Sequence, residues 1–125
     1  MSSKKILVID DEELLIRTMI KFLEKLGYEV YSVKNGRDAE AIVEEEDFDL
    51  LICDIRMPGK SGVEVVKSIK HFTLTKNKKE IPVIFITGFA DEKMEKEAKA
   101  LKPAAYLTKP FDVEEILRSI QKAIS

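Results

Sequence analysis

The sequence predicts an α/β protein in which five parallel strands form a doubly wound sheet with helices on both faces. Five short runs rich in apolar residues recur along the chain. Each run is followed by a segment whose apolar residues recur at helical spacing. Three of the runs are almost continuously apolar, as expected of strands that are covered on both faces. Strands that alternate with helices in this way form a parallel sheet between two helical layers.

The strands are predicted from these apolar runs and from the residues around them. In chain order they are KILVI (5–9), YEVYSV (28–33), LLIC (50–53), PVIFI (82–86) and AAYL (104–107). The second run is less apolar than the others, which favours a position near the edge of the sheet. Pro82 opens the fourth run, a position in a strand that proline tolerates.

The helices are predicted from apolar residues spaced three and four apart. The first covers residues 14–26, with acidic residues before it and Gly27 after it, as is typical of the two ends of a helix. The other four are indicated within residues 39–43, 63–72, 94–101 and 113–124. Asn35-Gly36 predicts a turn before the second helix.

Composition narrows the class of protein. The 125 residues are the usual size of one domain, and 45% of them are hydrophobic. A net charge of −2 argues against a nucleic-acid surface, which needs a basic face. No apolar stretch is as long as a membrane span, and the single Cys53 excludes an internal disulfide. We therefore expect a cytoplasmic protein that binds neither nucleic acid nor a membrane.

Chemically reactive side chains follow four of the five predicted strands. Asp10-Asp11 follow the first strand, Asp54 the third, Thr87 the fourth and Lys109 the fifth. Doubly wound sheets bind their ligands outside the carboxyl ends of the strands. The sequence thus predicts that three carboxylates, one hydroxyl and one ammonium group meet at this edge.

These groups suit a magnesium ion and a phosphoryl group. Three close carboxylates need a counter-charge to remain ionised, and Mg²⁺ is a hard cation that prefers carboxylate oxygens and phosphate. A lysine binds phosphate as a point charge. A carboxylate can also attack phosphorus and form an aspartyl phosphate. We expect Mg²⁺ as the cofactor of this edge.

Four sequence blocks resemble one known family, the receiver domain of bacterial two-component response regulators. They are VIDDE (8–12), LLICDIRMPGKSG (50–62), FITG (85–88) and YLTKPF (106–111), and they occur in the family's order over essentially the whole chain. The resemblance implies a flavodoxin-like fold with strand order 2-1-3-4-5. The resemblance covers a single receiver domain over residues 1–125, and we expect no output domain in these residues, which are either a stand-alone receiver or a piece of a longer regulator.

The resemblance implies roles for the residues at the strand ends. Asp54 would accept a phosphoryl group from a sensor histidine kinase or a histidine phosphotransfer protein. Asp10, Asp11, Asp54 and the backbone carbonyl of Arg56 would hold Mg²⁺. Lys109 would pair with the phosphoryl oxygens.

The resemblance also implies a switch. Thr87 would move toward the phosphoryl group, and Tyr106 would change its rotamer in response. The surface formed by the fourth helix, fifth strand and fifth helix would then signal to a downstream protein target, or form a homodimer on phosphorylation. Such a protein is a signalling domain that catalyses only its own phosphorylation and dephosphorylation. The Lys109-Pro110 bond is expected to be cis.

Some residues depart from the family's pattern. Lys102-Pro103 stands where many receivers have Gly-Ala, so we expect the fourth helix to end differently. Arg56 and Phe89 are large residues expected to border the path of hydrolytic water. Glu12 and Glu13 are assigned only a favourable interaction with the start of the first helix.

Three alternative functions remain to be weighed. An aspartyl-nucleophile phosphohydrolase usually has a second acid two residues after the nucleophile, where this chain has Arg56. A flavin- or nucleotide-binding module would need a Gly-rich loop after the first strand, where this chain is acidic. An unphosphorylated interaction domain would not need the full set of acids, threonine and lysine.

Overall fold

The computed structural model describes residues 3–88 and 91–124, which fold as alternating strands and helices. The elements are β1 Lys5–Ile9, α1 Glu13–Lys25, β2 Glu29–Val33, α2 Gly36–Glu45, β3 Leu50–Asp54, α3 Gly62–Thr75, β4 Val83–Thr87, α4 Glu92–Ala100, β5 Ala105–Thr108 and α5 Val113–Ile124. Every predicted strand and helix is present. Within the described residues, each helix is too short or too polar to cross a membrane.

The five strands form one parallel sheet in the order β2-β1-β3-β4-β5, which confirms the predicted fold. Ile9 lies opposite Cys53, and Asp54 lies opposite Ile86. Because Asp10 directly follows Ile9, this register places Asp10 beside Asp54 at the carboxyl edge. Central strands β1 and β3 therefore bring together acids that are 44 positions apart in the sequence.

Alternate strand residues build two hydrophobic layers, one on each face of the sheet. Leu7 and Ile9 of β1 pack in the layer beneath α2, α3 and α4. Ile6 and Val8 pack in the layer beneath α1 and α5. This period of two explains why β1 is apolar throughout, since both of its faces are covered.

The start of α3 lies against the backbone of Asp54. The N–H of Gly62 donates to the carbonyl of Ile55 at 2.7 Å. A Cβ atom at residue 62 would stand 2.1 Å from the carbonyl oxygen of Asp54, so only glycine fits there. A reciprocal capping box between Ser61 and Glu64 begins the helix. The Gly62 position thus fixes the chain that leaves the carboxyl end of β3.

The end of α4 differs from the expectation based on Lys102. Lys102 itself adopts the left-handed conformation, with φ of 54°, which glycine would adopt more readily. Its N–H donates to the carbonyl of Lys99 at 3.0 Å, and the N–H of Ala104 donates to Val83 at 2.7 Å. These two bonds leave a short connection to β5. Lys102 therefore adopts the left-handed conformation that a glycine would have at this position, and α4 ends without a different turn.

Candidate functional site

The predicted side chains meet at the carboxyl edge of the sheet. Asp10 is completely buried after β1, and Asp54 ends β3 with 4% of its surface exposed. Thr87 is the last residue of β4 and is 2% exposed. Lys109 follows β5, and its ammonium group lies between the acids of β1 and β3.

Lys109 is the electrostatic centre of the site. Its Nζ atom lies 3.4 Å from Asp10 Oδ2 and 3.4 Å from Asp54 Oδ2. It lies 2.5 Å from Glu12 Oε1. The backbone N–H of Lys109 donates to the carbonyl of Thr87 at 2.7 Å. The peptide bond to Pro110 is cis, as the family resemblance implied.

Backbone N–H groups hold the second oxygen of each buried acid. The N–H of Glu12 donates to Asp10 Oδ1 at 2.9 Å, and the N–H of Arg56 donates to Asp54 Oδ1 at 3.3 Å. Each carboxylate therefore directs one oxygen to its own chain and the other to Lys109. This arrangement fixes the orientation of both acids before any ligand is bound.

Burial makes the ionised form of the two acids costly. It is the main cause that raises the pKa of Asp10 above its usual value. Burial, and next the negative charge of Asp10, raises the pKa of Asp54 to about 6. Burial opposes the charge of Lys109 as well. However, the hydrogen bond to Glu12 and the charges of Asp10 and Asp54 prevail and raise the pKa of its ammonium group. One ammonium group thus faces more negative charge than it balances.

Three acids lie close enough to share a cation. Carboxylate oxygens of Asp10, Glu12 and Asp54 all lie within 4.8 Å of one another. An all-oxygen set with surplus negative charge fits Mg²⁺, which binds through one or two carboxylates and keeps several waters. The residues present are therefore compatible with the magnesium site that the sequence predicts.

The structure adds Glu12 to this group, and Asp11 lies outside it. Asp11 is exposed, and its ligand role stays a prediction, as does that of the Arg56 carbonyl. The sequence did not indicate the contact of Glu12 with Lys109, because a glutamate before a helix is already explained by its favourable interaction with the helix start.

Tyr106 lies on the same face of the sheet as Thr87. The register pairs Phe85 with Tyr106 and Thr87 with Thr108, so these side chains point to one side. Tyr106 is half-buried and packs with the layer beneath α4. Lys99 Nζ lies 5.5 Å from the centre of the Tyr106 ring.

Phe89, which the sequence predicts to border the path of hydrolytic water, lies outside the described residues.

Sequence comparisons identify similar proteins over almost the whole chain. The sequence model of one family, the response regulator receiver domain, matches residues 6–121. The response regulator receiver protein CpdR of Brucella abortus is 34% identical over 97% of each chain. The transcriptional regulatory protein CrdR of Helicobacter pylori is 39% identical over 95% of this chain. This chain spans only 54% of the length of CrdR.

A solved structure of a chemotaxis protein has the same fold as this chain. The Vibrio cholerae chemotaxis protein CheY4 superimposes with a TM-score of 0.85 at 30% identity. The match covers 98% of this chain and 99% of CheY4. The similarity extends over the strands and helices that position the acids, the threonine and the lysine.

Proposed function

Since the chain belongs to the response regulator receiver domain family, we propose that it is a signalling switch in which Asp54 accepts a phosphoryl group. The observation that best supports this role is the setting of Asp54. Its carboxylate is buried at the end of β3 and lies 3.4 Å from the Lys109 ammonium group. It also has a neighbouring acid, Asp10, with which it can share a cation.

Receiver domains interact with histidine kinases or histidine phosphotransfer proteins, and we propose a donor of this class. In the transfer, an Asp54 oxygen forms a bond to phosphorus while the bond between phosphorus and the donor's imidazole nitrogen breaks. The nitrogen keeps the electron pair. An unprotonated Asp54 is the nucleophile, and Lys109 holds the phosphoryl oxygens on its ammonium group.

We propose that Asp10, Asp11, Asp54 and the carbonyl of Arg56 hold Mg²⁺ at this edge. When bound, Mg²⁺ would supply positive charge that offsets the carboxylates and the phosphoryl oxygens. The residues of the chain would prepare that site: the register of β1 and β3 places Asp10 beside Asp54, and the N–H groups of Glu12 and Arg56 orient the two carboxylates.

The output is proposed to pass from Thr87 to Tyr106. Thr87 would donate its hydroxyl to the phosphoryl group, and Tyr106 would fill the space that Thr87 leaves. A phosphoryl group shifts such an equilibrium only through interactions that differ between the two states. Thr87 supplies that difference. The surface of α4, β5 and α5 would then bind a downstream protein or a second copy of this chain.

Mass spectrometry tests the acceptor directly. Wild-type protein incubated with Mg²⁺ and acetyl phosphate should gain one phosphoryl group, and Asp54→Asn should gain none. The amide keeps the shape of the side chain but removes the nucleophile. An Asp54→Asn protein that is phosphorylated at the wild-type rate would disprove the assignment of Asp54. Wild-type protein that gains no phosphoryl group from acetyl phosphate would contradict the proposed switch itself.

Amide NMR tests the path to the output surface. With beryllofluoride, a phosphoryl mimic, the wild type should shift near Asp54 and also around Tyr106 and Phe111. Thr87→Ala should still shift near Asp54, because the acids and Lys109 remain, but much less around Tyr106. Equal shifts around Tyr106 in both proteins would show that Thr87 is not the coupling residue.

A further inference from the structure

We propose that Glu12 is a positioning residue that acts through Lys109. In the unphosphorylated protein, its carboxylate competes for the ammonium group that a phosphoryl group must engage. Glu12 would thereby set how readily Asp54 is phosphorylated. The inference rests on the proposed function of Asp54.

Lys109 lies closer to Glu12 than to either buried acid. The distance from its Nζ atom is 2.5 Å to Glu12 and 3.4 Å to both Asp10 and Asp54. The Lys109 side chain is 17% exposed, whereas that of Glu12 is 59% exposed. The glutamate therefore lies on the solvent side of the ammonium group, where an incoming phosphodonor approaches.

The backbone of Glu12 is fixed, but its carboxylate is not used to cap the helix. Its N–H donates to Asp10 Oδ1, and its carbonyl accepts from the N–H of Ile16 at 3.0 Å. Glu12 occupies the N-cap position of α1, yet its side chain makes no capping hydrogen bond in the described structure. Instead it reaches across the site to Lys109. Its role therefore goes beyond favouring the start of the helix.

An ammonium group has three N–H donors, and in this state it has one carboxylate partner for each. A phosphoryl group on Asp54 needs at least one of these donors. Asp10 and Asp54 are buried and cannot leave, whereas the exposed Glu12 can be released into water. Release of Glu12 is thus the rearrangement that costs the least when Lys109 turns to a phosphoryl oxygen.

Glu13 provides a matched control on the same helix. Its side chain is 60% exposed, almost the same as that of Glu12. Among the described residues its ion-pair partners are Arg17 at 3.4 Å and Lys34 at 3.6 Å. Glu13→Gln therefore removes one negative charge near the site without removing a partner of Lys109.

The experiment compares the two variants by beryllofluoride titration in Mg²⁺, followed by amide NMR. We expect Glu12→Gln to bind beryllofluoride about two to five times more tightly than Glu13→Gln, the range typical of one exposed ion pair. Without beryllofluoride, Glu12→Gln should also shift the ¹⁵Nζ resonance of Lys109, and Glu13→Gln should leave it in place. A merely structural effect on the helix would not move that resonance selectively.

Three results would overturn the inference. Equal beryllofluoride affinities of the two variants would show that Glu12 does not compete. An unshifted Lys109 resonance in Glu12→Gln would show that the contact is absent in solution. Weaker Mg²⁺ binding in Glu12→Gln than in Glu13→Gln would make Glu12 a ligand of the ion instead. In each case, amide shifts near Asp54 when beryllofluoride is added to the wild-type protein would leave the proposed function intact. The absence of those shifts would reject the proposed function separately.

Discussion

Each end of the sheet pairs a lysine with acidic side chains, one at the amino end and three at the carboxyl end, with opposite electrostatic results. At the amino end, Lys5 Nζ lies 3.1 Å from Glu46, and the Tyr31 hydroxyl donates to Glu46 at 3.0 Å. The hydrogen bond from Lys5, followed by that from Tyr31, lowers the pKa of Glu46. The ionised form of this acid is therefore favoured by its setting.

At the carboxyl end, the pKa shifts run the other way. Lys109 lies among Asp10, Glu12 and Asp54, and burial raises the pKa of Asp10 and Asp54 despite the ammonium group. The side chain of Glu46 is 38% exposed, whereas those of Asp10 and Asp54 are 0% and 5% exposed. The two ends differ in charge balance, since Lys5 pairs with one acid and Lys109 with three, and they differ in access to water, since Asp10 and Asp54 are almost closed to solvent.

This difference separates a structural network from a binding site. Lys5 and Tyr31 both donate to Glu46 at the amino end, so this acid has its counter-charge and needs no further cation. The buried acids at the carboxyl end remain short of positive charge, and a cation that binds there relieves the deficit.

The largest expected effect comes from removing each lysine. In a chelator at pH 7, Lys109→Met should reduce the free energy of unfolding by about 3 kcal/mol, because it leaves buried charges unpaired. Lys5→Met should cost about 1 kcal/mol or less, since its partner is partly solvated. Urea denaturation measures both. Similar losses in the two variants would remove the distinction between the ends.

Neutralising one acid at each end should give effects of opposite sign. Asp10→Asn should raise the free energy of unfolding without metal, by about 1 kcal/mol, because the charged form is unfavourable there. It should also weaken Mg²⁺ binding. Glu46→Gln should lower stability, because its ionised form is the stabilised one. Thermal unfolding in a chelator measures both changes in stability. If both variants are stabilised, or both destabilised, the proposed electrostatic difference between the two ends is contradicted.

Much of this architecture could be predicted from the sequence because its signals are local. Continuous apolar runs predict β1, β3 and β4, and the position of ligand sites at the carboxyl ends of strands predicts that Asp10, Asp54, Thr87 and Lys109 lie together. The boundaries are predicted less accurately: the apolar run predicts a strand that ends at Ile86, whereas β4 ends at Thr87. This error is small because Thr87 continues the strand's backbone pairing.

What the sequence could not provide depends on contacts between distant side chains. The strand-end rule brings Lys109 to the acids after β1, but it does not indicate that the Glu12 side chain turns from the helix start to the ammonium group. The left-handed Lys102 arises because the backbone bonds around it fix a tight turn. Neither local preference nor strand order encodes these two features.

The pH titration of Asp54 by ¹³C NMR tests the central claim, that its buried carboxylate lacks positive charge. Without metal, we expect a pKa of about 6, above the ordinary 3.8. Folded Asp54 then binds its proton more tightly than the unfolded chain, so its contribution to stability falls as the pH rises across that window. Mg²⁺ should lower the pKa, because a cation favours the charged form. A metal-free pKa near 3.8 that Mg²⁺ leaves unchanged would contradict the account.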